Sequence, residues 1–571
     1  MRCGAPAAVL AAVVAVVLAG CTTVPSSSSP VEITQVADPP ADVGIEALPP
    51  VAGASPEEVV RGFVDAMAST TRNHPVARQY LTAEAADTWR DTDLVTVISA
   101  DYAPVAGDDG VVQVTADLVG SVDERGVFST GAGQGYAHTF TLAQEDGEWR
   151  IADPPDGLLQ LEPDFARTFD QVDAYFLDPT GTRVVPDPRF LVSGDAQATA
   201  LVDRLLAGPA SSVAAGVVNP LAGAELRSNV QIERQVATVD LTGLPAGADT
   251  DDVSVLCAQL VWSLDQLDDV RATSVLIDGE RVDVPGVPDV QTVGDWASFA
   301  PDAVPAVSVG HYLAAGALRT VTAGDAAPGP AGTGQYALSS AAVTADPRTN
   351  ELGTLVGVSD LGGTQNLLVG PYGGDLVPVL SAGTFTAPTT AATRTEVWTV
   401  RDGREVIRIP TSSTPQTVSA TTLPGAVRVF QLSPDGVRVA LVVDGPTGGQ
   451  LLVGTVVRTD EQVAVQDLQA VAPALTDVVD VAWRSAAGLL VLGQAPTAQG
   501  TTPYAIGVDG WGLTAVSTSG LPAVASAVAA TPSRVPVVVA GGTLWQLVAG
   551  TWSTLVRGRD PLPGEAPFYP L

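Results

Sequence analysis

Phe430-Gln-Leu-Ser-Pro-Asp-Gly-Val-Arg-Val-Ala-Leu441 joins two β-like runs through a tight turn, and comparable stretches recur through the C-terminal half of the chain. They begin near Ala341, Phe385, Phe430, Val481 and Val528. Their interval of roughly 45 to 50 residues is the length of one four-stranded propeller blade. It is too long for a parallel β-helix, and a sandwich does not repeat in this way. The sequence therefore predicts an all-β propeller of five or six blades over residues 300–565, with His311–Val321 in the first blade.

An α/β unit precedes the propeller over residues 166–290. Its pattern is a strand, a turn and a returning strand, then a helix that ends at Gly208-Pro209, two short strands, a long helix and a last strand. Five segments in this order resemble the GerMN domain, a small α/β module of envelope and sporulation proteins. They are Tyr175–Pro179, Leu205–Pro209, Val236–Leu241, Leu260–Leu264 and Ile277–Gly279.

The N-terminal unit, residues 55–165, begins with helices and continues with strands. Ser55-Pro56-Glu57-Glu58 combines a helix-capping serine, proline at the first helical position and a glutamate placed for a capping box. A second helix is predicted around Pro75 to Arg90, and a hairpin is predicted at Glu145-Asp146-Gly147. This order is similar to the cone-shaped α+β fold of the nuclear-transport-factor-2-like (NTF2-like) superfamily. We therefore expect a multidomain chain with an α+β NTF2-like domain, an α/β GerMN domain and an all-β propeller.

The chain starts with Arg2, an apolar run over Ala5–Leu18 and the sequence Leu18-Ala19-Gly20-Cys21. The run is shorter than the roughly 20 residues of a spanning helix, so it indicates an export signal. The ending resembles the bacterial lipobox, which implies cleavage after Gly20 and diacylation of Cys21. Residues 1–20 are then the signal peptide, and the Pro- and Ser-rich residues 21–54 a flexible tether. The alternative is an ordinary secretory signal followed by an accidental cysteine.

Composition excludes several classes of function. The 571 residues carry a net charge of -35 and contain no lysine, so all 28 basic residues are arginines. No basic surface of the kind that binds nucleic acid is expected. Without lysine the chain has no Schiff-base or P-loop lysine. After removal of the signal, Cys257 is the one cysteine besides Cys21, and its apolar surroundings indicate a buried, inert thiol.

We find no catalytic or metal-binding motif. His74, His138 and His311 lack metal-ligand or triad spacing, and we interpret all three as structural, with His74 exposed at a helix start. The acidic groups Asp249–Asp252 and Asp265–Asp269 are interpreted as helix-end residues. No cofactor, metal site or catalytic residue is therefore predicted, and the expected function is not enzymatic.

Lipobox, NTF2-like unit, GerMN unit and propeller together resemble the LpqB family of actinobacterial lipoproteins, and Ser433–Gly436 resembles the turn between blade strands of TolB-like propellers. The resemblance implies a lipid-anchored protein on the extracytoplasmic face of the cell membrane. It further implies an accessory role in the MtrA–MtrB two-component system, with the extracytoplasmic domain of the sensor histidine kinase MtrB as partner and effects on cell-wall homeostasis and division.

Two other functions stay open. The first is binding of envelope polysaccharide or peptidoglycan through exposed aromatic side chains of the propeller, with Trp398, Trp483, Trp545 and Trp552 as candidates. Their alternative role is blade packing. The second is an exported hydrolase, which would need convergent carboxylates of raised pKa in the propeller channel.

Overall fold

The computed structural model describes residues 47–92, 94–244, 250–410, 414–459 and 462–571, all within one compact unit. The predicted signal peptide, Gly20, Cys21 and most of the predicted tether lie outside the described residues. No helix of the described segments is both long and apolar enough to cross a membrane.

The N-terminal domain packs a capped helix on a curved sheet. Helix α1 (Pro56–Ala66) starts at the predicted capping box: Glu58 N donates to Ser55 Oγ at 3.3 Å, and Ser55 N donates to the Glu58 carboxylate at 2.7 Å. Val59, Val60 and Phe63 are buried against the sheet. The sheet is antiparallel apart from β1, which pairs in parallel with β7. Its strands are β1 (Leu94–Ile98), β2 (Ala103–Ala106), β3 (Val111–Asp123), β4 (Phe128–Thr130), β5 (Gly135–Glu145), β6 (Glu148–Ile151) and β7 (Leu158–Leu161).

Two expectations for this domain are wrong. The predicted helix over Pro75 to Arg90 is a 3-10 turn (Ala77–Tyr80) followed by the short helix α2 (Ala83–Thr88), because Thr82 N leaves the helical pattern to donate to Ile151 O at 2.9 Å. The fold also begins inside the predicted tether, since the Tyr80 hydroxyl donates to Leu48 O at 2.8 Å. Helix α3 (Glu162–Thr168) ends the domain.

The second domain has the α/β arrangement predicted for a GerMN domain. Strands β12 and β13 pair in parallel and are connected through helix α5, which packs with α4 in one core. A separate hairpin, β8 and β9, precedes them. The elements are β8 (Phe169–Leu177), β9 (Val184–Val192), α4 (Gln197–Ala207), β10 (Glu225–Leu226), β11 (Gln231–Glu233), β12 (Val236–Thr242), α5 (Thr250–Leu264), β13 (Ala272–Ile277) and β14 (Glu280–Arg281), with 3-10 turns at Ala214–Gly216 and Ala297–Phe299.

The C-terminal domain is an all-β propeller, and its strands form six blades. Blade 1 has three strands and the others have four, and the outermost strands of blades 3 and 4 pair in parallel, so that these two blades form one continuous eight-stranded sheet. Blade 1 contains β15 (His311–Ala314), β16 (Ala317–Thr320) and the distant β37 (Glu565–Phe568), and blade 2 contains β17 (Leu338–Ala345), β18 (Leu352–Leu361), β19 (Thr364–Pro371) and β20 (Val377–Ala382). Blade 3 contains β21 (Thr389–Ala391), β22 (Arg394–Arg401), β23 (Glu405–Ile409) and β24 (Gln416–Ala420), and blade 4 contains β25 (Val427–Leu432), β26 (Arg438–Asp444), β27 (Gly449–Arg458) and β28 (Val463–Ala470). Blade 5 contains β29 (Asp477–Ser485), β30 (Gly488–Gln494), β31 (Thr502–Gly507) and β32 (Thr514–Ala515), and blade 6 contains β33 (Ala525–Ala529), β34 (Val537–Ala540), β35 (Thr543–Val548) and β36 (Thr551–Thr554). A one-turn helix, α6 (Gly329–Gly332), precedes blade 2.

The ring closes through the chain's last strand. Strand β37 pairs with β15, so the C-terminal segment supplies the innermost strand of blade 1. It contacts the innermost strands of blades 2 and 6, β17 and β33, and the other innermost strands contact one another in sequence around the ring. This closure leaves no gap between the first and last blades.

The three domains pack directly on one another. The rings of Phe128, Phe165 and Phe190 surround Trp511, with centroid distances of 5.2, 5.1 and 5.4 Å to the indole. Phe128 and Phe165 belong to the N-terminal domain, Phe190 to β9 of the GerMN domain, and Trp511 to the turn between β31 and β32 of blade 5. The buried Arg438 of blade 4 also donates to Pro186 O of β9 at 2.6 Å.

Candidate functional site

The central channel of the propeller is lined by residues from all six blades. It has a volume of about 360 Å³ and is lined by the innermost strands. Each blade contributes to the wall, and representative side chains from blades 1 to 6 are Phe568, Ser340, Thr390, Gln431, Trp483 and Val528. The wall therefore combines hydroxyl, amide, aromatic and aliphatic groups.

One mouth of the channel is covered by residues 302–308, which link the GerMN domain to blade 1. Asp302 accepts a hydrogen bond from Ala486 N of blade 5 at 2.7 Å, and Ala306 N donates to Asn350 of blade 2 at 2.8 Å. Arg534 of blade 6 donates to Ser308 O at 3.0 Å and to Ala306 O at 3.1 Å. All three blade residues lie in turns that follow an innermost strand, so the linker spans the mouth at that end.

The opposite mouth is formed by the starts of the innermost strands. Ser339, Ser526 and Glu565 are exposed there. Arg428 lies beside them and forms ion pairs with Asp444 at 2.9 Å and Asp477 at 3.4 Å. This open mouth thus presents hydroxyl groups and charges of both signs, which suits a polar protein segment better than an apolar ligand.

Asp480 and Glu565 are the carboxyl groups among the described channel-lining residues. Asp480 lies within the channel wall, where its carboxylate accepts hydrogen bonds from Val481 N at 2.9 Å and Val528 N at 2.8 Å. Burial raises the pKa of Asp480 to about 7, against the lowering effect of these two hydrogen bonds. Glu565 is exposed at the open mouth. Asp480 is half-buried, so the two carboxyl groups lie in different surroundings, one within the wall and one at the open mouth.

We expect Asp480 to make the folded chain less stable as the pH rises from about 5 to 8. In the unfolded chain an aspartate loses its proton near pH 3.9, whereas in the folded chain Asp480 keeps its proton to about pH 7. Because the unfolded chain binds fewer protons in this range, raising the pH favours unfolding. Asp480→Asn should therefore lose less thermal stability than the parent between pH 5 and pH 8. The exposed Asp156→Asn is the control and should follow the parent. Equal losses of thermal stability in Asp480→Asn and the parent would show that the pKa of this carboxyl group is not raised in the folded chain.

The predicted site residues are dispersed. His311 is buried and held by Val309 O and the Tyr372 hydroxyl at 2.7 and 2.8 Å, as a structural role requires. His74 is not exposed as expected: it is half-buried and its Nδ1 lies 2.7 Å from Asp91. His138 lies on β5 against Phe140. The described residues contain no group of three or more His, Cys, Asp or Glu side chains arranged to hold a metal ion.

Cys257 and the tryptophans have packing roles. Cys257 is buried in the GerMN core, and burial raises the pKa of its thiol to about 11, which makes the thiolate scarce at neutral pH. Trp398, Trp483 and Trp552 are buried, and Trp545 is half-buried. The four candidate tryptophans therefore do not form an exposed aromatic platform for glycans.

Three protein-family models match the chain in the order of its domains. Residues 49–166 match the model described as the N-terminal domain of lipoprotein LpqB. Residues 173–283 match a domain of sporulation and spore germination. Residues 316–570 match the β-propeller domain of lipoprotein LpqB.

Curated relatives align over most of the chain. The lipoprotein LpqB of Rhodococcus opacus is 31% identical over 475 residues, covering 78% of this chain and 77% of the relative. That of Mycobacterium bovis is 31% identical and covers 97% of both chains.

Solved structures align with single domains. The first GerMN domain of the Bacillus subtilis sporulation protein GerM is 20% identical, with a TM-score of 0.19, and the match covers 22% of this chain and 97% of that domain. TolB from Acinetobacter baumannii is 11% identical, with a TM-score of 0.30, over 40% of this chain and 56% of that one.

Proposed function

The chain belongs to the LpqB lipoprotein family, and on that premise we propose that it is a non-enzymatic, membrane-anchored interaction protein of the MtrA–MtrB two-component system. Its partner in this proposal is the extracytoplasmic domain of the sensor kinase MtrB. Through that contact it influences kinase signalling, and with it cell-wall homeostasis and division.

The proposed anchor is a diacylated Cys21, exposed by cleavage after Gly20 on the extracytoplasmic face of the cell membrane. Two acyl chains are enough to hold a protein stably on a bilayer. The Pro- and Ser-rich residues between Cys21 and the first described contacts near Leu48 then act as a flexible tether. This arrangement keeps the three domains near the membrane without fixing their orientation.

The observation that carries the proposal is the asymmetry of the propeller. Residues 302–308 cover one mouth of the channel, whereas Ser339, Ser526 and Glu565 leave the other exposed. Binding residues concentrate on loops held by a rigid scaffold. We therefore place the kinase-binding surface on the open mouth and its surrounding loops. For the N-terminal domain we propose an NTF2-like fold, on the basis of the helix packed on its curved sheet.

The burial of Trp398, Trp483 and Trp552 argues against polysaccharide or peptidoglycan as the ligand of the channel. Sugar recognition by stacking needs exposed aromatic faces, and these three rings serve the packing of the blades instead.

The proposal is tested by crosslinking in the native actinobacterial host, with MtrB identified by mass spectrometry. The parent chain should crosslink to the kinase ectodomain. Cys21→Ala should lose membrane attachment and most of that crosslink. The double variant Ser339→Arg/Ser526→Arg places bulk at the open mouth and should stay on the membrane but lose the crosslink.

Thr551→Arg is the matched control, because Thr551 is exposed on the outermost strand of blade 6, away from the channel. It should retain the crosslink. Recovery of glycan without kinase from the parent would favour the polysaccharide-binding alternative. An unchanged kinase crosslink in the double variant would place the contact elsewhere on the chain.

A further inference from the structure

Four arginines from three blades gather at one edge of the propeller. A cavity of about 350 Å³ is lined by Arg348, Arg394 and Arg408, and Arg458 lies directly behind it. Arg348 is in the turn after the innermost strand of blade 2, Arg394 and Arg408 are on blade 3, and Arg458 ends β27 of blade 4. We call this group the arginine pocket.

Two of these arginines share one carboxylate as their ion-pair partner. Glu396 is buried and accepts from Arg408 Nε at 2.5 Å, from Arg458 Nη2 and from Trp398 Nε1 at 3.0 Å. Burial alone would raise the pKa of Glu396, but Arg458 and Arg408 together hold it below its usual value. Glu396 therefore stays ionised, and its one negative charge is shared by two arginines.

The other two arginines are unpaired among the residues that the structure describes. Within the described part of the chain, neither the Arg348 nor the Arg394 guanidinium has a hydrogen-bond or ion-pair partner. Asp346 also lines the cavity, but its Oδ1 accepts the backbone N–H groups of Arg348 and Thr349 at 2.7 and 3.2 Å. With Glu396 and Asp346 counted against four guanidinium groups, the pocket keeps an excess of two positive charges.

This excess of positive charge contrasts with the strongly negative charge of the whole chain. The whole chain has 28 basic residues against 63 acidic ones, so most of its surface repels anions. Within the pocket the arginines repel one another: burial lowers the pKa of Arg458, Glu396 acts against this, and Arg394 and Arg408 lower the pKa further. A bound anion would relieve this repulsion, and the pocket's two excess charges match a phosphate group better than a single carboxylate.

We propose that the arginine pocket is a binding site for a phosphate group, with Arg348 and Arg394 as its principal ligands and Arg408 at its back wall. Guanidinium groups bind phosphate oxygens through paired, charge-assisted hydrogen bonds. A second cavity of about 500 Å³ shares Arg408 and is lined by polar groups such as Gln416, Thr417 and Thr459. This second, polar cavity has room for the organic group of a phosphate ester.

The site is tested by calorimetric titration of inorganic phosphate into the full chain carrying Cys21→Ala, which cannot be acylated. We expect saturable binding that weakens at least ten-fold in Arg348→Ala/Arg394→Ala. The control Arg557→Ala/Arg559→Ala removes two exposed arginines of the loop before β37 and should bind like the parent. Arg348→Ala alone, in an exposed turn, gives a second variant that folds if the double variant does not.

Vesicles distinguish the source of the phosphate. If phosphatidylglycerol vesicles retain the parent but not Arg348→Ala/Arg394→Ala, and phosphatidylcholine vesicles retain neither, the phosphate is that of an anionic lipid. Binding of inorganic phosphate without retention by vesicles indicates a soluble phosphate ester. Absence of saturable phosphate binding to the parent, or equal affinity in the double variant, overturns the proposal. None of these outcomes depends on the kinase, so the phosphate site and the proposed function are tested independently of each other.

Discussion

Arg189→Ala is expected to destabilise the folded chain by about 3–5 kcal/mol, the cost of leaving a buried charge without its partner. Arg189 is fully buried in β9, and its two terminal nitrogens donate to the two Asp187 oxygens at 2.9 and 2.8 Å. Asp187 also accepts Ala210 N at 2.7 Å, so it is held in place and cannot turn to solvent. The free energy of unfolding from urea denaturation of the full chain measures the effect.

Two variants make this prediction specific. Arg227→Ala removes a partly exposed partner of Asp240, 3.1 Å away, and should cost under about 1 kcal/mol. Asp187→Leu/Arg189→Met removes both buried charges and should be less destabilising than Arg189→Ala alone. A cost for Arg189→Ala no larger than that of Arg227→Ala would contradict the account of a buried, mutually dependent pair.

Local sequence pattern predicted the elements whose packing is local. The last strand predicted for the α/β unit is present as β13 (Ala272–Ile277), and the turn Ser433–Gly436 joins two neighbouring strands of blade 4 as expected. The motifs near Ala341, Phe430, Val481 and Val528 fall within innermost strands. Blade packing imposes the same alternation on each repeat, so the repeat is visible without knowledge of the ring.

Features that depend on distant contacts were not predictable. The pairing of His311 with Phe568 closes the ring across the whole domain, and no local pattern encodes it. The helix predicted around Pro75 to Arg90 is interrupted because Thr82 N pairs with Ile151 O of the sheet, and Arg78 then crosses back to Trp89 O and Asp91, each at 3.1 Å. The same turn brings His74 to Asp91, so a histidine expected at the surface is half-buried.

The candidate sites were invisible in the sequence for the same reason. Arg348, Arg394, Arg408 and Arg458 are far apart in the chain and form no linear motif. They meet because three blades bring corresponding ends of their strands to one edge of the ring. Asp480 of the channel likewise stands in an ordinary alternating strand, and its environment follows from ring closure. Periodicity predicts which residues face inward, but not which distant residues share a pocket.

Trp511→Ala is expected to loosen the propeller from the other two domains and to cost a few kcal/mol. Replacing a buried tryptophan by alanine costs about 3–5 kcal/mol, and half-buried Trp511 should lie toward the lower end of that range. Its indole is the propeller's contribution to the cluster with Phe128, Phe165 and Phe190. The edge-to-face geometry with each of these rings stabilises the contact beyond the burial of apolar surface. Hydrogen exchange of β4, β9 and the turn before β32 measures the loosening.

The effect should be confined to one interface. The N-terminal and GerMN domains keep their own contacts, since Arg125 donates to Ala207 O at 2.9 Å and to Gly208 O at 2.6 Å, and Phe190 N donates to Gly126 O at 2.8 Å. Trp511→Phe retains an aromatic ring and should restore most of the protection lost in Trp511→Ala. Equal exchange in parent and Trp511→Ala would mean that Arg438 and the linker hold the domains without the indole. Because Trp511 is remote from the open mouth, loosening without loss of the kinase crosslink would show that the propeller binds independently of its orientation on the other domains.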